Sequence, residues 1–353
     1  MLHHKSGIAI ILPGTVARIA IHGGVLAALH RLFKKIGKRL DLLVATSSGS
    51  IVAAGAIGWN DEAFADLEKN ICNLTRAQIC VYEPTLRNPF FSLVGALVFV
   101  FAVLFLGRFM PIWVVMIMGA VALLSLALSG WFFTERVWAF RAPFSTAPLF
   151  DFLRRVIRFD HLFRSPIELR VLATDVEAAE AVVFSSKEPG KNDPDNPEHC
   201  DRFVNILRAS SALLGFPWIE VDGKCLGDGE FWTDCPFRET EGFRKVLVLD
   251  YWKNGKGLQR DRRPESFMEY VQRIFDIMRD RTGSMKRERY KLLARYDPDL
   301  PEPFHVYASD ELLKTAPNAS LSNLRRKDLE DGFAFGEAIV AEQEAKIIEY
   351  LQS

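Results

Sequence analysis

The residues Ala45-Thr46-Ser47-Ser48-Gly49 directly follow a strand-like Asp41-Leu42-Leu43-Val44 and open a small-residue stretch, Ser50–Ile57. A strand, a tight turn and a helix in that order form the setting in which a strained turn lifts a serine Oγ clear of a sheet as a nucleophile. Ala45 stands where such turns usually carry glycine, which requires a negative φ at that position. Taken alone, a Thr-Ser-Ser-Gly-Ser run is equally an ordinary helix N-cap. A serine nucleophile needs a base, and an aspartate within hydrogen-bond reach can serve. Downstream, Asp222-Gly223 has the chemistry of a hairpin turn between two short strands. Asp228-Gly229 then falls at the end of the second strand, where a carboxylate can point into a site. Both pairs are otherwise plain turns. A Ser–Asp–His triad would have to use His305, the only histidine after Asp228, while His22 reads as a packed residue of the first helical region.

These residues need a frame. Apolar runs at Ile8–Leu12, Leu42–Ala45, Leu169–Ala173, Ala181–Phe184 and Val246–Asp250 read as strands. Amphipathic stretches at Gly24–Lys38, Ser50–Ile57, Leu149–Arg158 and Gly332–Leu351 read as helices, so the chain outside one apolar block is mixed α/β. Lys187–Asp201 reads as a polar loop rich in Pro, Gly and Asn, and no internal repeat is present. The stretch Asn254–Arg295 leans basic and reads as solvated helices without a catalytic residue; the alternative is a surface for anionic headgroups.

The chain has 353 residues, with 44 Lys+Arg against 44 Asp+Glu. Zero net charge argues against a nucleic-acid partner. Five cysteines, Cys72, Cys80, Cys200, Cys225 and Cys235, include no Cys-x-x-Cys and have no histidine at ligand spacing. No disulfide framework, metal site or cofactor is expected, and the environment reads as reducing. The apolar block comprises Ser92–Gly107 and Phe109–Phe133, and Arg108 is the only charge between Arg87 and Glu135. A span takes about 20 apolar residues. The second run meets that, and the first does if Pro89–Phe91 are counted. Trp113, Trp131 and Trp138 lie near the run ends, where aromatic belts occur. The expectation is a membrane-inserted helical hairpin at 89–134. The competing reading buries the same hairpin in a homodimer.

Taken together, these segments resemble the patatin-like phospholipase family. The resemblance is carried by Leu12–Leu29, the Ala-Thr-Ser-Ser-Gly elbow, Ser145–Arg155, Ala173–Phe184, Ile206–Lys224 and Gly227–Phe237, in that order. It implies a three-layer fold with a central, mostly parallel sheet flanked by helices, here as a catalytic domain of residues 1–88 and 135–353 interrupted by the hairpin. It also implies a membrane-associated lipid acyl hydrolase, phospholipase A-like or lysophospholipase-like, working through an acyl-enzyme on phospholipids or other acyl-ester lipids. By position, Ser47 is the implied nucleophile and Asp228 the base, with Gly49 and Gly229 supporting the elbow and the Asp-Gly motif. Gly14, Thr15, Val16 and Arg18 fall on the family's oxyanion loop.

Three departures stand out. Thr15 and Val16 replace loop glycines, Ala45 replaces the first elbow glycine, and Glu230 replaces the second glycine of Asp-Gly-Gly. β-Branched residues strongly disfavour positive φ, so the oxyanion hole must be built differently or be impaired. A silent lipid-binding relative, a membrane scaffold and an acyltransferase therefore stand as alternatives. Ser47 and Asp228 must share one side of the bilayer, so the chain crosses an even number of times or dips in and returns. Arg87, Arg136 and Arg141 flank the block, which puts the catalytic side in the cytoplasm.

Overall fold

The computed structural model describes residues 5–14, 19–82, 84–106, 111–138, 142, 144–213, 215–232, 236–249, 288, 290, 292–293, 300, 302–317 and 324–353. Thr15, Val16 and Arg18, and nearly all of the basic stretch 254–295, lie outside these residues. The chain divides into two compact units, one of residues 1–79, 147–213 and 218–353, the other of 80–146 and 214–217.

In the first unit the elements run β1 (Lys5–Leu12), α1 (Ile19–Ile36), β2 (Leu42–Thr46), α2 (Ser47–Ala56), α3 (Asp61–Cys72) and α4 (Arg76–Ile79). The second unit contributes β3 (Val81–Tyr82), α5 (Pro84–Leu106), α6 (Ile112–Trp138) and β4 (Phe144–Ser145). The first unit resumes with α7 (Ala147–Val156), α8 (Phe159–Arg164), β5 (Glu168–Asp175), β6 (Glu180–Ser185) and α9 (Pro197–Ser210). It ends with β7 (Ile219–Val221), β8 (Lys224–Asp228), β9 (Phe243–Leu249), β10 (Phe304–Val306) and a last helix, here α10 (Arg326–Gln352).

The sheet follows the order β10-β9-β1-β2-β5-β8-β7, with β6 also paired to β5. Its pairs from β10 through β5 are parallel. The pairs that β5 makes with β6 and β8, and β7 with β8, are antiparallel. The parallel strands read as unbroken apolar runs because both of their faces are covered. In β1, Ile8, Ile10 and Leu12 join the larger core while Ala9 and Ile11 join a smaller one; β2 divides in the same way, Leu43 and Ala45 against Leu42 and Val44. Helical residues such as Leu26, Phe33, Leu153, Phe203 and Phe333 fill the larger core, and Phe237, Phe243 and Tyr290 close the smaller.

Helix α1 begins at Ile19, earlier than the expected Gly24. Its glycines serve packing there. A Cβ on Gly24 would lie 1.9 Å from the Phe333 carbonyl oxygen, and one on Gly336 would lie 2.2 Å from that of Ile21. Small residues at both crossings let α1 and α10 touch backbone to backbone.

The second unit is built differently. β3 and β4 pair antiparallel, Val81 opposite Ser145, and Phe144 N–H donates to the Gly215 carbonyl at 3.1 Å. Helices α5 and α6 pack on each other, with Ser92 Oγ 3.1 Å from Ser129 Oγ. Ala96, Val103, Ala122 and Ser129 are buried, whereas Val98, Phe101, Phe105, Met116, Ile117, Leu124 and Trp131 are exposed. Three of these four buried residues are small, and the exposed ones are large and apolar. Among the described residues, one helix is long and apolar enough to cross a membrane, Ile112–Trp131; the apolar part of α5 is Ser92–Val103.

Candidate active site

Strand β5 carries three partners on its two edges. β6 pairs with Arg170–Asp175, so β2 and β8 share the other edge. Thr46 pairs with Leu172 at the end of β2, and the very next residue, Ala173, pairs with Asp228 at the end of β8. Strand β8 therefore enters, running the other way, where β2 stops. The residue after Thr46 is Ser47, and its Oγ donates to Asp228 Oδ2 at 2.8 Å.

The elbow at Ser47 is strained. Its φ is 50°, in the left-handed region, which costs an L-residue roughly 1–2 kcal/mol. Helix α2 starts at Ser47 itself, three residues before the expected Ser50. Ala45 lies inside extended β2, which meets the requirement for a negative φ. Two backbone contacts hold the turn. Ser47 N–H donates to Ser210 Oγ at 2.9 Å, and Ser210 Oγ–H in turn donates to the Leu172 carbonyl at 2.6 Å. Ser50 Oγ–H donates to the Ser47 carbonyl at 2.6 Å. Ser210 sits inside the Ile206–Lys224 segment but was not among the expected site residues; with Arg208 and Ser211 beside it, its local pattern does not set it apart.

Gly49 and Gly229 are where side chains cannot go. A Cβ on Gly49 would be 2.7 Å from the Leu12 carbonyl oxygen and 2.8 Å from that of Pro13, so β1 passes directly against the start of α2. A Cβ on Gly229 would be 2.4 Å from the Leu172 carbonyl oxygen. This close approach lets the chain turn immediately after Asp228 into a short 3-10 helix, Gly229–Phe231.

Asp228 is fully buried and Ser47 is 2% exposed. The second carboxylate oxygen, Oδ1, accepts from Glu230 N–H at 2.8 Å, and Thr174 Oγ–H donates to the Asp228 carbonyl at 2.8 Å. Oδ2 is thus aimed at Ser47 by bonds made elsewhere on the same residue. The Asp222-Gly223 turn, with φ of 52° and 73°, joins β7 to β8 and sets the register that delivers Asp228. Arg202 holds this turn, with Nε 2.9 Å from Asp222 Oδ1 and Nη2 2.6 Å from Oδ2; Lys191 adds a third contact at 3.1 Å. The Arg202 guanidinium pulls the Asp222 carboxyl down to about 2.

Gly14 is the one residue of the candidate oxyanion loop among those described. A Cβ there would be 2.5 Å from Ser47 Cβ and 2.1 Å from Glu230 Oε1. The Glu230 carboxylate therefore reaches Ser47 Cβ within those two distances laid end to end. His305 does not join the group: it lies in β10, separated from β2 by β9 and β1. His22 is buried within α1.

The patatin-like phospholipase family matches residues 10–240, a segment that contains Gly14, Ser47, Ser210 and Asp228. A search of the curated proteins finds no match. Among solved structures, VipD from Legionella pneumophila is similar at 13% identity over 96% of this chain and 67% of its own, with a TM-score of 0.35. The family match extends over well over half of the chain, and it brackets the whole of the serine–aspartate site: the chain belongs to the patatin-like phospholipase family.

Proposed function

We propose that the chain is a membrane-tethered lipid acyl hydrolase whose nucleophile is Ser47 and whose base is Asp228. The 2.8 Å bond from Ser47 Oγ to Asp228 Oδ2 carries this reading. Ser47 Oγ attacks the ester carbonyl as its proton passes to Asp228 Oδ2. The tetrahedral oxyanion collapses, the alcohol leaves with that proton, and Ser47 keeps the acyl group. Water, giving its proton to Asp228, then releases the fatty acid and restores the serine. Backbone N–H groups of the loop 14–19 are the natural donors to the oxyanion, a contribution of roughly 3–4 kcal/mol per donor in such holes. If Thr15 and Val16 only fill glycine positions there, restoring glycine at both raises activity or leaves it unchanged; a large loss would mean that their side chains take part.

Hydrolysis of a short-chain reporter ester by the wild type and by Ser47→Ala tests the assignment. Turnover should vanish in the variant, and a fluorophosphonate probe should label Ser47. Labelling at another serine with Ser47 untouched would overturn it.

The tether rests on the inside-out packing of α5 against α6, with large apolar side chains turned outward. A hairpin of two apolar helices, spanning or dipping in and returning, brings the chain back to the side it left, which keeps Ser47 and Asp228 together, and flanking arginines put that side in the cytoplasm. In lipid, both runs must be helical to satisfy their own backbone. Sedimentation decides it. Full-length protein that stays in the supernatant without detergent excludes the membrane hairpin and favours the homodimer.

One observation favours a second reading. Glu230 places a carboxylate beside Gly14 and Ser47, where an oxyanion would form. That arrangement suits a weak hydrolase, an acyltransferase using a lysolipid acceptor, or a silent lipid-binding relative. Product analysis with and without added lysolipid separates the first two, and absence of probe labelling identifies the third.

A further inference from the structure

Three large aromatic side chains stand exposed beside the catalytic aspartate: Trp218 is 59% accessible, Phe231 42% and Trp232 49%. Phe231 and Trp232 follow Glu230 on the short helix that starts from Asp228. Glu230 in turn abuts Gly14 and Ser47, so this helix borders the site. Trp218 reaches the same place along the hairpin. Ile219 pairs with Leu226, which puts Trp218 opposite Gly227. Gly227 has no side chain, and the space it leaves is taken by Val176 Cγ2 and the Phe231 ring, 3.2 and 3.3 Å from where a Cβ would stand. Trp218 and Phe231 are thus both placed beside Gly227.

Exposure of this kind is costly in water, and single exposed residues are common. Three aromatics gathered over two adjacent segments are a patch, and they are the residue types that settle at the boundary between lipid and water. The hairpin turn itself bears exposed Glu220 and Asp222, so the apolar character is confined to the end near Asp228. The site lies buried behind this patch, and its substrate, on the reading above, is a lipid that must leave its aggregate to reach Ser47. An apolar contact at the mouth gives that lipid a path that avoids water.

We infer that Trp218, Phe231 and Trp232 form a lipid-docking rim that seats the mouth of the serine–aspartate site on the surface of a bilayer. This rests on the lipid-hydrolase reading and adds to it a second contact with lipid, separate from the α5–α6 hairpin. The rim draws one lipid toward the site, whereas the hairpin only keeps the chain at the membrane.

The test uses full-length protein with phosphatidylcholine vesicles, with and without brominated acyl chains, read by tryptophan fluorescence. Of the seven tryptophans in the chain, two belong to the rim. Brominated lipid should remove more fluorescence per mole of protein from the wild type than from Trp218→Phe/Trp232→Phe, which keeps every other tryptophan. The measurement is made equally in a Ser47→Ala background, so it stands or falls without turnover, and failure of the hydrolase reading leaves it intact. In the active protein, Trp218→Ser/Trp232→Ser should lower hydrolysis of vesicle lipid by about tenfold or more, as expected for removing two half-exposed indoles from an apolar contact. Hydrolysis of a water-soluble short-chain ester should hold within about twofold, since both tryptophans are about half exposed while Ser47 and Asp228 are buried. Equal quenching in the wild type and the phenylalanine variant would overturn the proposal. So would parallel losses on vesicle and soluble ester, which would make the rim a structural part of the site.

Discussion

Thr46 and Asp228 occupy neighbouring rungs on one edge of β5, Thr46 opposite Leu172 and Asp228 opposite Ala173. Two strands of opposite direction therefore meet end to end, and the turn after each supplies one member of the pair. Asp228→Asn keeps the shape and removes the proton acceptor. It should lower turnover of a soluble ester by about 10²–10⁴-fold while the thermal unfolding midpoint changes little. An active Asn variant would mean that another group takes the Ser47 proton.

Ser47 holds its position under backbone strain, which two variants without the hydroxyl can expose. Ser47→Ala and Ser47→Gly both lack the hydroxyl, so the bond to Asp228 cancels between them. With φ at 50°, the glycine variant should be the more stable by about 1 kcal/mol. Chemical denaturation of the two, side by side, measures it. Equal stabilities would mean that the left-handed turn carries no cost.

Ser210 bridges the elbow to β5 by accepting from Ser47 N–H and donating to Leu172 O. Ser210→Ala leaves both groups buried without this partner, an expected loss of roughly 1–3 kcal/mol. Labelling of Ser47 by a fluorophosphonate should slow as well, because the elbow is no longer held. A lower unfolding midpoint with unchanged labelling would confine Ser210 to stability.

On the proposed mechanism, Glu230 sets a carboxylate near the Ser47 side chain, where negative charge would develop. Two unit charges about 5 Å apart at an effective dielectric near 20 oppose each other by about 3 kcal/mol. Glu230 is half-buried, so solvent screens part of this. Glu230→Gln should raise turnover of a soluble ester, by up to about tenfold. A slower Gln variant would show that the carboxylate serves the chemistry.

The Asp222 turn predicts an acid signature. Its carboxyl, held at about 2 by Arg202, lies below an unfolded value near 3.9. A depressed folded value contributes stability that is present above about pH 4 and is lost as pH falls toward 2. Asp222→Asn tolerates the same left-handed φ but lacks the titrating group. Its unfolding midpoint should fall less than that of the wild type between pH 4 and 2, as read by thermal scans.

Much of the sheet was legible because burial on both faces leaves no polar residue in β1, β2 or β9 from Ile8 to Leu12, Leu42 to Ala45 and Val246 to Leu249. The Ser47 and Asp228 motifs were legible through turn chemistry. The start of α1 was placed late because Gly23-Gly24 reads as a break, whereas α10 needs that surface bare. Helix α9 begins at Pro197, inside the stretch read as a loop, with Asn196 Oδ1 accepting from Glu198 N–H as its cap. The edge that β8 shares with β2 was not legible at all. It depends on β2 ending at Thr46 and on a pairing that spans distant segments, for which local pattern carries no information.

The order of the segments has a consequence in time. Ser47 and Asp228 are 181 residues apart in sequence, and the second unit's residues 80–146 come between them. At about 5–20 residues per second, a ribosome needs roughly 10–40 s to pass from one to the other. For that interval the nascent chain carries Ser47 without Asp228, and the α5–α6 segment emerges before β8 can complete the pair. On the proposed reading, synthesis therefore completes the serine–aspartate pair only after the apolar helices are made.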